Sequence, residues 1–310
     1  MLITTRFLLK SVLLFAFAIL LLTAACEKEP PQPPSGEYTD PNENIDDKEL
    51  IEGEDYFLPN IDLNNWKVTL PIGNNGKPIE VEPPKILDYA ESELLQPFMY
   101  NDSTDGALVF YTYPEETTAN SSYSRTELRE QMMPGSNTTN WTFEQGGYMK
   151  GRLQLDDISK ASNGDYHRTM VMQIHGRLTN EQRDLIGEDD NNAPPVLKIL
   201  WDKGKIRVKT KKLKDVNTDV PEILSTDAWT DDEGRNFQEL VNFDEFILEV
   251  KVEKGRMEVT LNDEETFVYE GVHIEKWNIF ENYFKAGNYL QTTNTSSFAK
   301  VKYYELEIGH

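Results

Sequence analysis

The chain has 310 residues, and its 54 acidic residues against 31 basic ones give it a formal net charge of −23. Because 38% of the residues are hydrophobic and 11% are aromatic, the composition excludes a disordered acidic tail. The negative charge argues against nucleic acid as a partner, since phosphate binding requires a concentrated basic surface.

The N-terminal segment has the composition of an export signal. Two basic residues, Arg6 and Lys10, precede an apolar run over residues 11–22, and small residues follow. This run of about a dozen residues is shorter than the roughly 20 that a bilayer-spanning helix needs. Residues 1–25 are therefore predicted to be a signal peptide.

Cys26 is the only cysteine of the chain, so no internal disulfide is possible. The preceding residues 21–25 resemble the lipobox of bacterial lipoproteins, with Thr23 where that pattern usually has Leu. The resemblance implies acylation of Cys26, which would attach the protein to a membrane surface without spanning it. We expect an exported protein that is lipid-anchored at the cell envelope, with the outer membrane as its expected site. Ordinary secretion is the alternative.

Residues 26–60 are predicted to be a flexible linker. They contain Pro30, Pro31, Pro33, Pro34 and Pro41, and they are crowded with Glu and Asp. Such a segment has too little apolar surface to offset the entropy lost on ordering.

Residues 61–310 are predicted to form one all-β domain. Segments with period-two alternation or short apolar runs, rich in β-branched and aromatic residues, recur along it: Trp66–Leu70, Ala107–Tyr113, Tyr148–Leu155, Thr169–His175, Val196–Trp201, Lys205–Thr210, Phe246–Val252, Arg256–Leu261 and Val301–Ile308. Hairpin turns are predicted at residues 202–205 and 253–256. The pattern favours a β-jelly-roll sandwich of two antiparallel sheets with a concave substrate groove. The acidic stretch Asn180–Asn192 is predicted to be a loop or short helix over the site.

The first segment that could carry chemistry is Ser124–Glu130. On a strand, alternation would place Arg125, Glu127 and Arg129 on one face. A carboxylate between two guanidinium groups orients both and leaves donors free for a ligand carboxylate. A solvated ladder of surface ion pairs is the alternative interpretation.

The second segment is Thr169–Gly176. Alternation would place Gln173 and His175 on one face, with Met170 and Ile174 toward the core. An imidazole beside an amide donor suits proton transfer, because imidazole titrates near neutral pH. A structural histidine with satisfied hydrogen bonds is the alternative.

The third segment covers residues 283–291. Lys285, Tyr289 and Gln291 share a face, and Gly287 permits a bulge or a close backbone approach. Ordinary packing, or stacking against a sugar, would equally explain the aromatic residues of this segment.

Taken together, the three segments resemble the motifs of the family 7 alginate lyases, in the same order and on the same spacing. The matching stretches are Arg125-Thr126-Glu127-Leu128-Arg129, Gln173-Ile174-His175 and Tyr283-Phe284-Lys285-Ala286-Gly287-Asn288-Tyr289-Leu290-Gln291. Residues 62–71 are also similar to the start of that family's domain. The family usually has Asn where this chain has Leu290. The resemblance covers residues 61–310.

The resemblance implies that the chain binds alginate, a polymer of uronic acids, and cleaves its 4-O-glycosidic bond by β-elimination. Arg125, Gln173 and His175 would neutralise the carboxylate next to C5. Tyr289 would donate a proton to the leaving oxygen, and either Tyr289 or His175 would take the C5 proton. The remaining matched positions would bind or orient the substrate: Glu127, Arg129, Lys285 and Gln291.

Further expectations concern specificity and ligands. The resemblance associates Ile174 with guluronate-containing blocks, and we expect endo action and a monomeric protein. The mechanism requires no metal or other cofactor, although a structural calcium ion stays open. Three alternatives remain: a poly-mannuronate-preferring lyase, a glycoside hydrolase with two carboxylates about 5–10 Å apart, and a non-catalytic carbohydrate-binding sandwich using Tyr111, Tyr113 and Trp141.

An acidic enzyme that acts on an acidic polymer needs a local reversal of charge. We expect Arg125, Arg129, Lys285 and either Arg168 or Lys198 to line one concave groove, with the acidic residues on the back and in loops.

Overall fold

The computed structural model describes residues 58–310. The predicted signal peptide, Cys26 and nearly all of the predicted linker lie outside the described residues. None of the helices within residues 58–310 has both the length and the apolar character needed to cross a membrane.

Strands dominate the described part of the chain. In chain order they are β1 (Asn60–Ile61), β2 (Trp66–Asn74), β3 (Lys77–Val81), β4 (Met99–Asn101), β5 (Leu108–Thr112), β6 (Arg125–Glu130), β7 (Trp141–Thr142), β8 (Gly147–Ile158), β9 (Arg168–Arg177), β10 (Asn192–Asp202), β11 (Lys205–Leu213), β12 (Trp229–Asp231), β13 (Arg235–Leu240), β14 (Phe246–Glu253), β15 (Arg256–Leu261), β16 (Glu265–Glu270), β17 (Glu281–Leu290) and β18 (Ala299–Gly309). The α-helices are α1 (Asn180–Ile186) and α2 (Val272–Trp277), and short 3-10 helices cover Leu63–Asn65, Lys85–Asp88, Glu222–Leu224 and Thr226–Ala228.

The strands form two sheets, which confirms the predicted sandwich. An eight-stranded sheet has the order β16-β15-β14-β8-β18-β5-β4, with β1 added beside β18. A ten-stranded sheet has the order β12-β11-β10-β9-β17-β6-β2-β3, with β13 beside β11 and β7 beside β17. The pairing is antiparallel except between β1 and β18, which run parallel.

Polar side chains tie the two sheets together directly behind β17. The Tyr303 hydroxyl donates to the carbonyl of Val171 at 2.6 Å and accepts from the amide of Gly287 at 3.0 Å. The Asn288 amide donates to the carbonyls of Phe110 and Ala299 at 2.9 and 2.8 Å. Because these groups are buried and hydrogen-bonded, they fix the position of β17 relative to the opposite sheet.

The predicted strands and both hairpins are confirmed. Asp202 pairs with Lys205 at the β10–β11 turn, and Glu253 pairs with Arg256 at the β14–β15 turn. The segment 180–192 forms α1 and a loop. A capping box between Thr179 and Gln182 begins that helix, and Gly187, in the left-handed conformation, ends it.

Two side-chain placements differ from the prediction. Met170 lines the cleft rather than the core, because the register between β9 and its neighbours shifts beside Val171, which takes the core position. Trp141 is fully buried and donates its indole N–H to Glu130 at 3.0 Å, so it is not a surface aromatic residue.

Candidate active site

A row of side chains crosses five neighbouring strands of the ten-stranded sheet. The register places Lys198 opposite Gln173, and Gln173 opposite Lys285. Lys285 in turn lies opposite Arg129, which lies opposite Lys67. All five side chains line a single cleft with a volume of about 1320 Å³. The floor of this cleft is therefore a strip of four cationic groups and one amide.

The structure brings the four predicted catalytic residues together on three adjacent strands. Arg125 comes from β6, Gln173 and His175 from β9, and Tyr289 from β17, and all four line the cleft. Tyr289 lies directly opposite Arg125 in the strand register. The predicted substrate-binding residues divide into two groups: Arg129, Lys285 and Gln291 line the cleft, whereas Glu127 lies beneath its floor.

Glu127 is 1% exposed and organises the side chains around it. Its carboxylate accepts hydrogen bonds from Gln173 Nε2 at 2.5 Å and from Arg125 NH1 at 3.1 Å, and it forms an ion pair with Lys285. A buried carboxylate is stable only when it is paired in this way. One anion thus holds two cations and an amide in fixed positions.

Lys285 lies in an excess of positive charge. Burial and the repulsion of Arg125 lower the pKa of its ammonium group to about 8, even though Glu127 attracts it. A further anion placed on the cleft floor would relieve this repulsion.

Arg125 offers hydrogen-bond donors beyond the one that it gives to Glu127. Its Nε is buried and has no hydrogen-bond partner within the described part of the chain. Its guanidinium carbon lies 3.8 Å from the centroid of the Tyr289 ring. Because an unpaired buried N–H is unfavourable, this atom is suited to an anion or acceptor supplied by a ligand.

His175 is held as a neutral base. Its Nδ1 lies 2.9 Å from the carbonyl of Gly176, which can only accept, so Nδ1 carries the proton and Nε2 has a free lone pair. Its ring stacks on Tyr283 with centroids 5.2 Å apart, and the guanidinium carbon of Arg129 lies 4.1 Å from the centroid of the Tyr283 ring. Burial and the nearby charge of Lys285 lower the pKa of His175 to about 3.

The Tyr289 hydroxyl has a partner that the sequence analysis missed. It lies 2.5 Å from Ser121 Oγ, on the loop before β6. The ring of Tyr123, from the same loop, meets the Tyr289 ring edge-on at 6.2 Å. No signal in the sequence distinguishes Ser121 from its neighbours, because its role follows from where the loop crosses β17.

The backbone geometry at position 287 explains why the third segment has a glycine there. It pairs with Glu127 and has a φ of +131°, a backbone conformation that side chains disfavour. A Cβ at this position would lie 2.8 Å from the carbonyl of Thr126 and 3.0 Å from Glu127 Cα. Glycine therefore lets β17 approach β6 at the point where the buried carboxylate is held.

Arg129 and Gln291 are held largely by the protein itself. Arg129 donates to the carbonyls of Glu130 and Asn137 at 2.5 and 3.0 Å, and to the Asn140 side chain at 3.0 Å. Gln291 Nε2 donates to the carbonyl of Tyr289 at 3.0 Å. Both residues border the cleft and stabilise its walls.

The charge of the cleft agrees with the prediction only in part, because acidic residues line the cleft together with the expected basic ones. Basic side chains cover the floor: Lys67, Arg125, Arg129, Arg177, Lys198, Lys211 and Lys285. The acidic lining residues belong mainly to β3 and the loops: Glu80, Glu188, Asp189, Asp190 and Asp227. Lys198 is present on the floor, whereas Arg168 is exposed and lies outside the lining.

Within residues 58–310, no group of three or more His, Cys, Asp and Glu residues is arranged to hold a metal ion.

Comparisons with known proteins agree with this geometry. The sequence model of the alginate lyase family matches residues 61–310. The structure of alginate lyase A1-II', a member of polysaccharide lyase family 7, is 30% identical with a TM-score of 0.62, and the match covers 80% of this chain and 95% of that one. A variant of A1-II' in complex with a substrate (GGMG) is 28% identical with a TM-score of 0.63, covering 81% and 94%. No curated protein sequence matched.

A more distant structure supports the fold. The alginate lyase PA1167 from Pseudomonas aeruginosa is 20% identical with a TM-score of 0.59, and the match covers 81% of this chain and all of that one. Motifs, fold and family model converge on one assignment: this chain belongs to the alginate lyases of polysaccharide lyase family 7.

Proposed function

We propose that the chain cleaves alginate by β-elimination, within the polymer and in guluronate-containing blocks. The observation that carries this proposal is the convergence of Arg125, Gln173, His175 and Tyr289 on one part of the cleft, where the buried Arg125 Nε has no partner among residues 58–310. These groups supply the two things that elimination next to a carboxylate requires, namely charge neutralisation and proton transfer.

Charge neutralisation comes first, because loss of the C5 proton places a second negative charge beside the carboxylate. The donors that can meet that carboxylate include the guanidinium group of Arg125 and the second N–H of Gln173, whose first N–H is committed to Glu127. Donors fixed before the reaction lower the barrier more than donors that must reorganise. Glu127 and Lys285 act indirectly by holding them in place.

Proton transfer follows. On guluronate, Nε2 of His175 takes the proton from C5, the C5–H electron pair forms the C4–C5 double bond, and the bond from C4 to the glycosidic oxygen breaks. Tyr289 donates its phenolic proton to that oxygen. Mannuronate, the C5 epimer, presents its proton on the opposite face, where Tyr289 acts as both base and acid. The low pKa of His175 keeps its lone pair free at neutral pH.

Two features of the cleft support action within the polymer, and Ile174 bears on the preference for guluronate. The cleft is larger than a typical small-molecule pocket of about 300–1,000 Å³, and its lining runs from Glu80 on one side of the catalytic strands to Asp227 on the other. A polymer can therefore extend past the reacting sugar in both directions. Ile174 is fully buried behind His175, so it acts on specificity only through the position of that ring.

Product analysis tests the proposal. Purified protein is incubated with poly-guluronate and, separately, with poly-mannuronate, and the products are analysed by ultraviolet absorbance and mass spectrometry. We expect unsaturated oligosaccharides of mixed length that form faster from poly-guluronate. Saturated products would indicate a hydrolase, and no products would indicate a binding protein. Unsaturated monosaccharides released from the start would contradict endo action.

We further propose that the protein is exported as a monomer and acylated at Cys26, and that catalysis needs no added cofactor, since the proton carriers are side chains. Labelling with an alkyne fatty acid in a bacterial host, compared with Cys26→Ser, tests the anchor. A chelator should leave the turnover rate unchanged, and a loss of activity restored by calcium would contradict cofactor-free catalysis.

A further inference from the structure

A second cavity, of about 520 Å³, opens on the eight-stranded sheet. Tyr100 of β4, Tyr111 of β5 and Lys300 of β18 line it. Because their neighbours Phe110 and Val301 are buried in the core, alternation directs these side chains away from the sandwich interior. The cavity therefore lies on the opposite face of the molecule from the catalytic cleft.

Aromatic rings form the apolar part of this cavity. Two lining residues, Tyr111 and Phe298, have ring centroids 6.2 Å apart, and Tyr113, outside the lining, lies 5.9 Å from Tyr111. All three side chains are only partly buried. Surface aromatic rings combine a large apolar face with polar tips, and sugar rings stack their C–H faces on such surfaces. The catalytic cleft uses none of these residues.

Two lysines of β18, of which Lys300 lines the cavity, differ in their ion pairing. Lys302, two residues beyond Lys300, is paired with Asp102, Asp105 and Asp156. Lys300 takes part in no comparable ion pair within residues 58–310, so its ammonium group is available to a ligand.

A carboxylate and an amide, both able to form hydrogen bonds with sugar hydroxyls, complete the lining of the cavity. Asp157, which pairs with Lys300 in the strand register, is exposed, and Gln96 is exposed on the other side. A uronate ring carries one carboxylate and neighbouring hydroxyls. It thus matches one free cation, one carboxylate acceptor and one amide beside an aromatic surface.

We propose that this cavity is a second, non-catalytic alginate-binding site, which holds one stretch of polymer while another occupies the cleft. The inference rests on the proposed function for the identity of its ligand. Two weak sites on one protein raise the affinity for a long chain through a high effective concentration. A short oligosaccharide cannot reach both sites and gains nothing.

Kinetics on two substrate lengths test the inference. For Lys300→Ala and Tyr111→Ala, kcat/KM on polymeric alginate should fall about fivefold through a higher KM, while kcat/KM on an alginate tetrasaccharide stays at the wild-type value. The control Lys205→Ala removes an exposed lysine at the β10–β11 hairpin and should change neither. Equal kcat/KM on the polymer for Lys300→Ala and wild type would overturn the second site. Thermal melting checks that Tyr111→Ala folds. If Tyr111→Ala does not fold, the kinetics of Lys300→Ala alone test the second site.

Affinity electrophoresis separates this inference from the lyase assignment. In gels containing alginate, Lys300→Ala in the Tyr289→Phe background should be retarded less than Tyr289→Phe alone. In gels containing a neutral β-glucan the two should migrate together. Equal retardation in alginate would overturn the inference whether or not the wild type is active. Absence of turnover by the wild type, with retardation still dependent on Lys300, would overturn the proposed function and leave the binding site standing.

Discussion

Two charge clusters, each built around one buried charged group and one in each sheet, have opposite compositions. Beneath the cleft floor, the single carboxylate of Glu127 is shared by Arg125 and Lys285. In the eight-stranded sheet, the single ammonium group of Lys302 is shared by three carboxylates, at 2.9 Å from Asp102, 3.0 Å from Asp105 and 3.5 Å from Asp156. The first cluster has too few anions and the second too few cations.

The pKa values of the two lysines differ accordingly. Burial and Arg125 lower the pKa of Lys285 to about 8. Burial also opposes the charge of Lys302, but its hydrogen bonds to Asp102 and Asp105 outweigh that effect and raise its pKa. The folded state therefore favours the charged form of Lys302 and disfavours that of Lys285. The comparison teaches that the cleft cluster is incomplete without an anionic ligand, whereas the other cluster serves the fold.

The largest expected effect is on catalysis in the cleft. Tyr289→Phe keeps the ring over Arg125 but removes the proton carrier, so kcat should fall by about 10³-fold while polymer binding persists. Initial rates of unsaturated product formation and affinity electrophoresis measure the two properties. Tyr269→Phe is the matched control, because the buried Tyr269 hydroxyl has no hydrogen-bond partner in the described chain. Substantial residual activity in Tyr289→Phe would identify another proton donor.

Lys285→Met tests the claim that the cleft cluster favours function over stability. Losing a cation from the floor should lower kcat/KM by about tenfold to 100-fold, since Glu127 and the substrate are both less well held. Because the folded state disfavours the charged lysine, the free energy of unfolding at pH 7 should not fall. Chemical denaturation that shows a clear loss of stability would contradict this distinction.

Lys302→Met tests the other half of the comparison. The change leaves three neighbouring carboxylates without their cation, and it should lower the free energy of unfolding by about 2 kcal/mol at pH 7, less than for a fully buried pair because those carboxylates are partly exposed. Turnover of the tetrasaccharide by the folded variant should match the wild type. A variant as stable as the wild type would show that the cluster contributes nothing to the fold.

The smallest expected effect comes from a one-to-one pair behind β6. His310 Nε2 lies 2.5 Å from the buried Glu130. Burial by itself would lower the pKa of His310, but the interaction with Glu130 outweighs burial and raises that pKa. The stabilisation is therefore complete below the unfolded pKa of about 6.5 and is lost as the pH rises through the folded value. His310→Phe should lower the melting temperature more at about pH 6 than at about pH 9. Equal differences at both pH values would contradict the pairing.

The sequence predicted the parts of this enzyme that depend on local pattern. Alternation in β6 and β17 correctly placed Arg125, Lys285 and Tyr289 on one face, because neither strand is interrupted relative to the other. The same rule failed at Met170, where the register of β9 shifts. An extra residue in a strand leaves no clear signal in the hydrophobic pattern.

Contacts between distant segments were not predictable in the same way. Lys67 joins the cleft floor only because β2 lies two strands away from β17. Ser121 reaches Tyr289 through the path of a loop. Tryptophan is a residue type that often stacks on sugars, yet the indole of Trp141 lies in the core, where it donates a hydrogen bond to the buried carboxylate of Glu130. Strand order, which decides these contacts, is not encoded in any single segment.

The most direct test of the central claim is a crystal structure of Tyr289→Phe with a guluronate tetrasaccharide bound. We predict that one sugar carboxylate lies within hydrogen-bond distance of both Arg125 Nε and the Gln173 amide, with C5 of the same sugar facing His175 Nε2. A tetrasaccharide whose carboxylates contact neither donor, or whose C5 atoms all point away from His175 and residue 289, would contradict the account.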